Sequence, residues 1–210
     1  MLRTKSHGGM GFRDMRAFNQ ALLAKQAWRL LDSPASLCAR LLKAKYYPRG
    51  NLLDTVFSSN SSAVWKGIIH GLELVKKGII WRVGDGMLIR PWRDSWIPRG
   101  HNLRPITPKH NCRLNWVPDF LDEHGAWNEQ RLREHFWDMD VNEILEIRTS
   151  PRNRQDFLAW FAEKSRCFSV RSAYRLATAE HNSWWRVGHQ VLFLVVDDPS
   201  GNLFGVPRYL

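Results

Sequence analysis

Residues 62–90 read Ser62-Ala63-Val64-Trp65-Lys66-Gly67-Ile68-Ile69-His70-Gly71-Leu72-Glu73-Leu74-Val75-Lys76-Lys77-Gly78-Ile79-Ile80-Trp81-Arg82-Val83-Gly84-Asp85-Gly86-Met87-Leu88-Ile89-Arg90. Two periodicities meet in this stretch. Val64, Trp65, Ile68, Ile69, Leu72 and Val75 recur at helical spacing, so the first half predicts an amphipathic helix. Ser58 to Ser62 forms a polar loop that offers its N-cap. Lys76 and Lys77 complement the negative end of the helix dipole, and Gly78 fits the position just past the last turn. Beyond Gly78 the pattern changes. Ile80-Trp81-Arg82-Val83 and Met87-Leu88-Ile89-Arg90, joined by Gly84-Asp85-Gly86, predict a β-hairpin. A helical part followed by a tryptophan-bearing hairpin makes the chain α+β.

Upstream of this stretch the pattern is helical. Gly8, Gly9 and Gly11 give a pliant entry. Asp14 then caps a helix from about Met15 to Leu31, with Phe18, Ala21, Leu22, Trp28 and Leu31 as its apolar face. Ser33-Pro34 predicts a second start. That helix runs to about Tyr46, with Leu37, Leu41 and Leu42 on one side, and Pro48-Arg49-Gly50 ends it. Downstream, Pro98, Pro105, Pro108 and Pro118 mark a linker or an extended crossing loop. Asn128 caps a short helix through Phe136 or Trp137. Asp140 caps another to about Ile147, with Val141, Ile144 and Leu145 buried. Phe157 to Phe161 and Cys167 to Val170 predict a second hairpin, and Ser169 or Ser172 begins a helix bearing Ala173, Tyr174 and Leu176. Val191 to Val196 is an apolar run ended by the turn Asp197-Asp198-Pro199-Ser200-Gly201. The expected division is a basic helical region (1–78), a Trp-rich hairpin with a proline-containing linker (79–118), a small helix–hairpin–helix region (119–186) and a divergent tail (187–210).

The chain has 210 residues, 11 tryptophans and a net charge of +11. Hydrophobic residues make up 44%, too many for composition-driven disorder. The charge is uneven: residues 1–50 carry ten Lys/Arg against two Asp/Glu, whereas residues 101–150 carry six against nine. A basic field of this kind attracts polyanions. The three cysteines, Cys38, Cys112 and Cys167, are odd in number and far apart. That argues against a disulfide framework and for a nuclear or cytoplasmic setting. The first residues contain no apolar stretch, so no signal peptide is expected. No run reaches the roughly 18 apolar residues of a membrane span.

Candidate chemistry is sparse. Polymerase chemistry needs clustered carboxylates holding two metal ions. Asp197-Asp198 imitates such a pair but reads as a polar turn. Asp138, Asp140, Glu143 and Glu146 could in part hold a divalent ion, yet acids at helix starts ordinarily cap and complement the dipole. His110 and Cys112, with His101 nearby, fall short of the four paired ligands that zinc wants. Gly84-x-Gly86 lacks the Lys-Ser/Thr of a phosphate loop. No set of nucleophile, base and orienting acid can be named.

Several stretches resemble one family. Gly8 to Asp14 and Phe18 to Leu30 are similar to the segment after the polymerase palm in plant LINE-type (non-LTR) retrotransposon polyproteins. So are Leu42 to Pro48 and Trp81 to Gly86, the latter with Trp92, Asp94, Trp96, Ile97 and Pro98 behind it. Phe168 to Tyr174 resembles the start of that family's reverse-transcriptase zinc-binding domain, and the resemblance implies that residues 1–78 are thumb- or connector-like and that residues 119–186 are an incomplete start of that domain. The likeness covers roughly residues 5–187, and the sequence departs from the pattern after Arg186. What it implies is a connecting region that guides template and primer. The palm aspartates and zinc ligands would lie outside it, so no catalysis, metal or cofactor is expected.

The expected partner is therefore RNA or single-stranded DNA, bound without sequence preference. The candidate residues are Arg13, Arg16, Lys25, Arg29, Arg40, Lys43, Lys45 and Arg49 on two successive helices, with Arg82, Arg90 and Trp92 around the hairpin. If the helices pack antiparallel, their cations could share a face toward phosphates. Aromatic rings beside guanidiniums, as in Trp81, Arg82, Arg90, Trp92 and Arg93, can stack on unpaired bases. The alternatives are a module that docks on a protein through exposed tryptophans, or a decayed reading frame without function.

Overall fold

The computed structural model describes residues 14–58, 60–100, 102–149 and 154–179. Arg13, His101, the glycine entry and the tail with Asp197-Asp198 lie outside them. The elements run α1 (Met15–Asp32), α2 (Leu37–Tyr46), α3 (Ala63–Gly78), β1 (Ile79–Arg82), a 3-10 turn (Val117–Phe120), α4 (Glu129–His135), α5 (Asp138–Leu145), β2 (Phe157–Trp160) and α6 (Val170–Ala179). The fold is α+β with a mostly helical N-terminal part.

Local chemistry sets the helix starts. Asp14 accepts from the amides of Arg16 and Ala17 to open α1. Ser62 does the same for Trp65 in α3, and Asn128 for Arg131 in α4. Ser169 Oγ accepts from Ser172 N at the start of α6. The expected start at Ser33-Pro34 is corrected: Ser33 closes α1, and Ser36 caps α2 by accepting from Ala39 N. Asp140 is not a cap either, since α5 begins at Asp138 with Trp137 before it.

Both hairpins are corrected. β1 pairs antiparallel with β2, with Ile79 opposite Trp160 and Arg82 opposite Phe157. The other edge of β1 is occupied, because Trp81 N donates to Ser95 O at 2.7 Å. Gly84 to Leu88 does not turn back as a ladder. Its amides at Gly84, Gly86 and Leu88 instead donate to the buried Asp156 carboxylate at 2.7, 2.9 and 2.8 Å. Gly86 sits at φ +75°, where a side chain would be strained, and a Cβ there would meet Val117 at 2.8 Å.

Two apolar cores follow. The first joins α1, α2 and α3 to Trp160 of β2 and to Ala173 and Leu176 of α6. The second gathers Ile89, Trp96, Ile97, Val117 and Phe120 around Leu132, Phe136, Val141 and Ile144. The proline-bearing segment is thus a crossing loop tied into this second core. The amides of Trp96 and Ile97 donate to Leu103 O, and Val117 N donates to Ile89 O at 3.1 Å.

The buried faces differ from expectation in places. In α1, Ala21, Ala24, Ala27 and Leu30 are buried, while Leu22 is exposed. In α2, Leu37 and Leu41 are exposed and Ala39 is buried. Val64 of α3 and Leu145 of α5 also face outward.

Candidate nucleic-acid interface

The sequence marked basic side chains, and most of them stand in solvent. Arg16, Lys25 and Arg29 on α1, Arg40, Lys43 and Lys45 on α2, and Arg49 beyond it are all exposed. None of these seven forms an ion pair among the described residues. Arg29 Nη1 donates to Gln26 Oε1 at 3.5 Å, and Lys45 Nζ lies 5.2 Å from the Tyr46 ring centre. Helical spacing brings Lys25 beside Arg29 and Arg40 beside Lys43, and turns Arg16 to the opposite side of α1. α1 packs chiefly on α3 and α6 and only lightly on α2. The cations therefore form local pairs on two elements.

Arg82 is set differently. It lies half-buried on β1, and burial, with Arg166 nearby, lowers its pKa to about 10. It still carries its charge at neutral pH, on a less accessible surface.

Arg90 and Trp92 meet partners that the sequence did not single out. They line an open cleft of about 510 Å³ with Arg93, Lys109, Asn115 and Trp116. The Arg90 guanidinium lies over the Trp116 ring at 5.2 Å, and Lys109 Nζ over the Trp92 ring at 5.9 Å. Trp116 is 40% exposed. Trp92 stacks on Phe136 at 4.8 Å, which fixes its plane to the second core.

The walls of the cleft are held by acids that do not line it. Asp119 accepts from the amides of Asn115 and Trp116, each at 3.0 Å. Asp94 accepts from Arg90 N at 2.7 Å. Burial raises the Asp94 pKa above the ordinary carboxylate value despite that bond, and Asp54 pushes the same way. Asp54 also pairs with Arg93 at 2.7 Å. Lys109 Nζ donates to Asn115 Oδ1 at 2.7 Å. Neither Arg90 nor Lys109 forms a direct ion pair among the described residues, although the Arg90 charge acts on the Asp94 carboxylate and favours its ionised form.

The acidic cluster resolves into structural pairs. Asp140 is fully buried and accepts from Arg99 Nη2 at 2.8 Å, Thr107 N at 2.7 Å and Thr107 Oγ1 at 2.6 Å. Ile106 N adds another bond at 2.9 Å. Burial pushes the Asp140 carboxyl up, but the bonds from Thr107, Arg99 and Ile106 outweigh it and leave the pKa below the ordinary value. Asp138 pairs with Arg133 at 2.8 Å. His110 is exposed, and among the described residues no group of three or more His, Cys, Asp and Glu could hold a metal ion. Nor, among those residues, is any helix long and apolar enough to cross a membrane.

Comparison with known proteins places the chain beside two from Arabidopsis thaliana. One is named an uncharacterized mitochondrial protein. It is 41% identical over 99 residues, which cover 47% of this chain and 64% of that protein. The other carries the name "Putative ribonuclease H protein" and is 30% identical over 190 residues, 84% of this chain and 29% of that protein. The chain thus spans less than two thirds of the one and under a third of the other. No family model matches it. No solved structure matches it.

Proposed function

We propose that this chain is a non-catalytic connecting region of a plant retrotransposon polyprotein, and that it holds RNA or single-stranded DNA without sequence preference. The observation that carries the reading is the set of seven exposed basic side chains from Arg16 to Arg49, none ion-paired among the described residues. Cations without protein partners are available to replace the counterions around phosphates. The likeness to an Arabidopsis protein named for ribonuclease H supports a setting in nucleic-acid chemistry. That protein is far longer than the matched region, and the carboxylate cluster its name implies would lie outside the part shared here.

The test is a salt titration. Binding of a labelled single strand to the full chain should weaken steeply, by ten-fold or more, between about 50 and 200 mM salt. With magnesium added, the strand should stay uncut. Affinity that is flat in salt would instead point to docking on a protein through exposed rings such as Trp137, which is 53% exposed.

A further inference from the structure

We infer that the cleft between Arg90 and Trp116 is a stacking subsite for one unpaired nucleotide of a single strand. The inference rests on the nucleic-acid reading above and narrows it to a place and a chemistry.

Three features of the cleft argue for this ligand. First, its polar rim is cationic: Arg90, Arg93 and Lys109 line it, and no carboxylate does. Arg93 is offset by Asp54, and Arg90 in part by Asp94, which leaves the charge of Lys109 and the remaining field of Arg90 for an outside anion. Second, its lining is aromatic, with Arg90 beside the Trp116 ring and Lys109 beside the Trp92 ring. Trp116 keeps 40% of its surface open, and Trp92 lines the same space. A lining of aromatic rings and cations suits a flat ring that carries a negative charge, which describes a base with its phosphate. Third, the walls are fixed before any ligand arrives. Asp119 holds the Asn115–Trp116 backbone, Asp94 holds Arg90 N, Phe136 backs Trp92, and the Val117–Ile89 hydrogen bond ties the two walls together. A preformed site loses less freedom on binding than one assembled by the ligand. The volume, about 510 Å³, falls within the usual range of small-ligand sites, roughly 300–1,000 Å³, and suits one nucleotide rather than a duplex.

The unpaired base distinguishes this cleft from the basic helices. Phosphate contacts alone do not separate single strands from duplexes or from strands without bases. Stacking does, because only an unpaired base exposes a face to the ring.

The experiment uses the full chain at low salt with four probes: a single strand, an abasic strand of equal length, a duplex and a mononucleotide. Wild-type protein is expected to bind the single strand about ten-fold or more tightly than the abasic strand. Tryptophan fluorescence should be quenched by the single strand and not by the abasic strand or the duplex. Trp116→Ala should remove most of that preference and Trp116→Phe should restore part of it, with abasic binding unchanged in both. A thermal melt matching that of the wild type shows that the variants remain folded. Mononucleotide binding that competes with the strand would place the recognition in the nucleotide unit, and its absence would place it in a nucleotide embedded in a strand; either supports the subsite. If single, abasic and duplex probes bind alike and Trp116→Ala changes nothing, the subsite is wrong while the charge-based reading survives. If no polyanion binds at low salt, both readings fall.

Discussion

Asp140 shows how far a residue's role can depart from its place in sequence. Three positions into an acidic helix start, it reads as a cap. In the fold it is sealed from solvent and accepts from four donors, one of them the buried Arg99. The residues that redirect it, Arg99, Ile106 and Thr107, come from the loop some 33–41 positions upstream, a proximity no local pattern encodes. Asp140→Asn leaves the buried Arg99 to the more distant, partly exposed carboxylate of Glu143, at 3.8 Å, and puts amide hydrogens against amide donors. Breaking such a pair costs about 3–5 kcal/mol, which for a chain of this length lowers the melting temperature by roughly 6–20 °C. The pH dependence has a definite sign. Since the folded carboxyl titrates below its ordinary value, its contribution is complete above the unfolded pKa of about 3.9 and fades as pH falls through the folded one. In urea titrations, the gap in stability between wild type and Asp140→Asn should be constant near neutrality and shrink in acid below about pH 4. A gap that stays constant into strong acid would contradict the assignment. Asp119 was missed for a related reason: its two amide bonds matter only because Trp116 turns out to face Arg90.

At the scale of elements, the helices were legible and their contact faces less so. Caps at Asp14 and Asn128 and the run after the serine loop can be read directly, because each depends on neighbours a few residues away. The buried stripe of α1 is harder to see. It consists of Ala21, Ala24 and Ala27, whose small apolar areas carry little weight beside Leu22, which faces outward. Those alanines serve close approach. A Cβ added at Gly71 of α3 would fall 2.3 Å from the Leu23 carbonyl carbon and 2.4 Å from Ala24 N. The obstacle is backbone, so the two helices must separate to admit even one methyl. Gly71→Ala gains helix propensity of up to about 1 kcal/mol, but overpacking costs typically 1–3 kcal/mol and here should reach the upper end. The variant is expected to be less stable by about 1–2 kcal/mol in chemical denaturation, the difference between those two effects. A neutral or stabilising result would mean that α1 and α3 lie further apart than described. Arg90 and Trp92 were readable as site residues in the same local way, from cations beside rings. Lys109, Asn115 and Trp116 were not, because a proline-bearing loop separates them in sequence and only tertiary hydrogen bonds bring them back.

Across the whole molecule the chain closes on itself. β1 finds its partner in β2, and Gly84 reaches Asp156 across 72 residues. α6 packs on α1, so the first core is completed by residues from the far end of the described chain. Sequence order suggested regions that succeed one another, but the apolar faces of α1 and α3 are covered by elements that arrive last. Trp160 lies at the junction. It is fully buried, meets Trp28 edge-on at 5.9 Å, contacts Phe168 at 4.8 Å, and donates its indole N–H to Ser172 Oγ at 2.8 Å. The same ring explains Gly78, where an added Cβ would meet it at 2.5 Å. Trp160→Ala removes this contact surface together with one of the hydrogen bonds of the Ser172 hydroxyl, at a cost of about 3–5 kcal/mol. Because the cavity opens inside a core shared by both ends, the loss should appear in the N-terminal helices. Hydrogen exchange is the direct measurement: amides of the α1 segment around Ala21 to Ala27 should lose protection together with those of α6. If the α6 amides exchange faster while α1 keeps its wild-type protection, the two ends fold as separate units and the shared core is refuted.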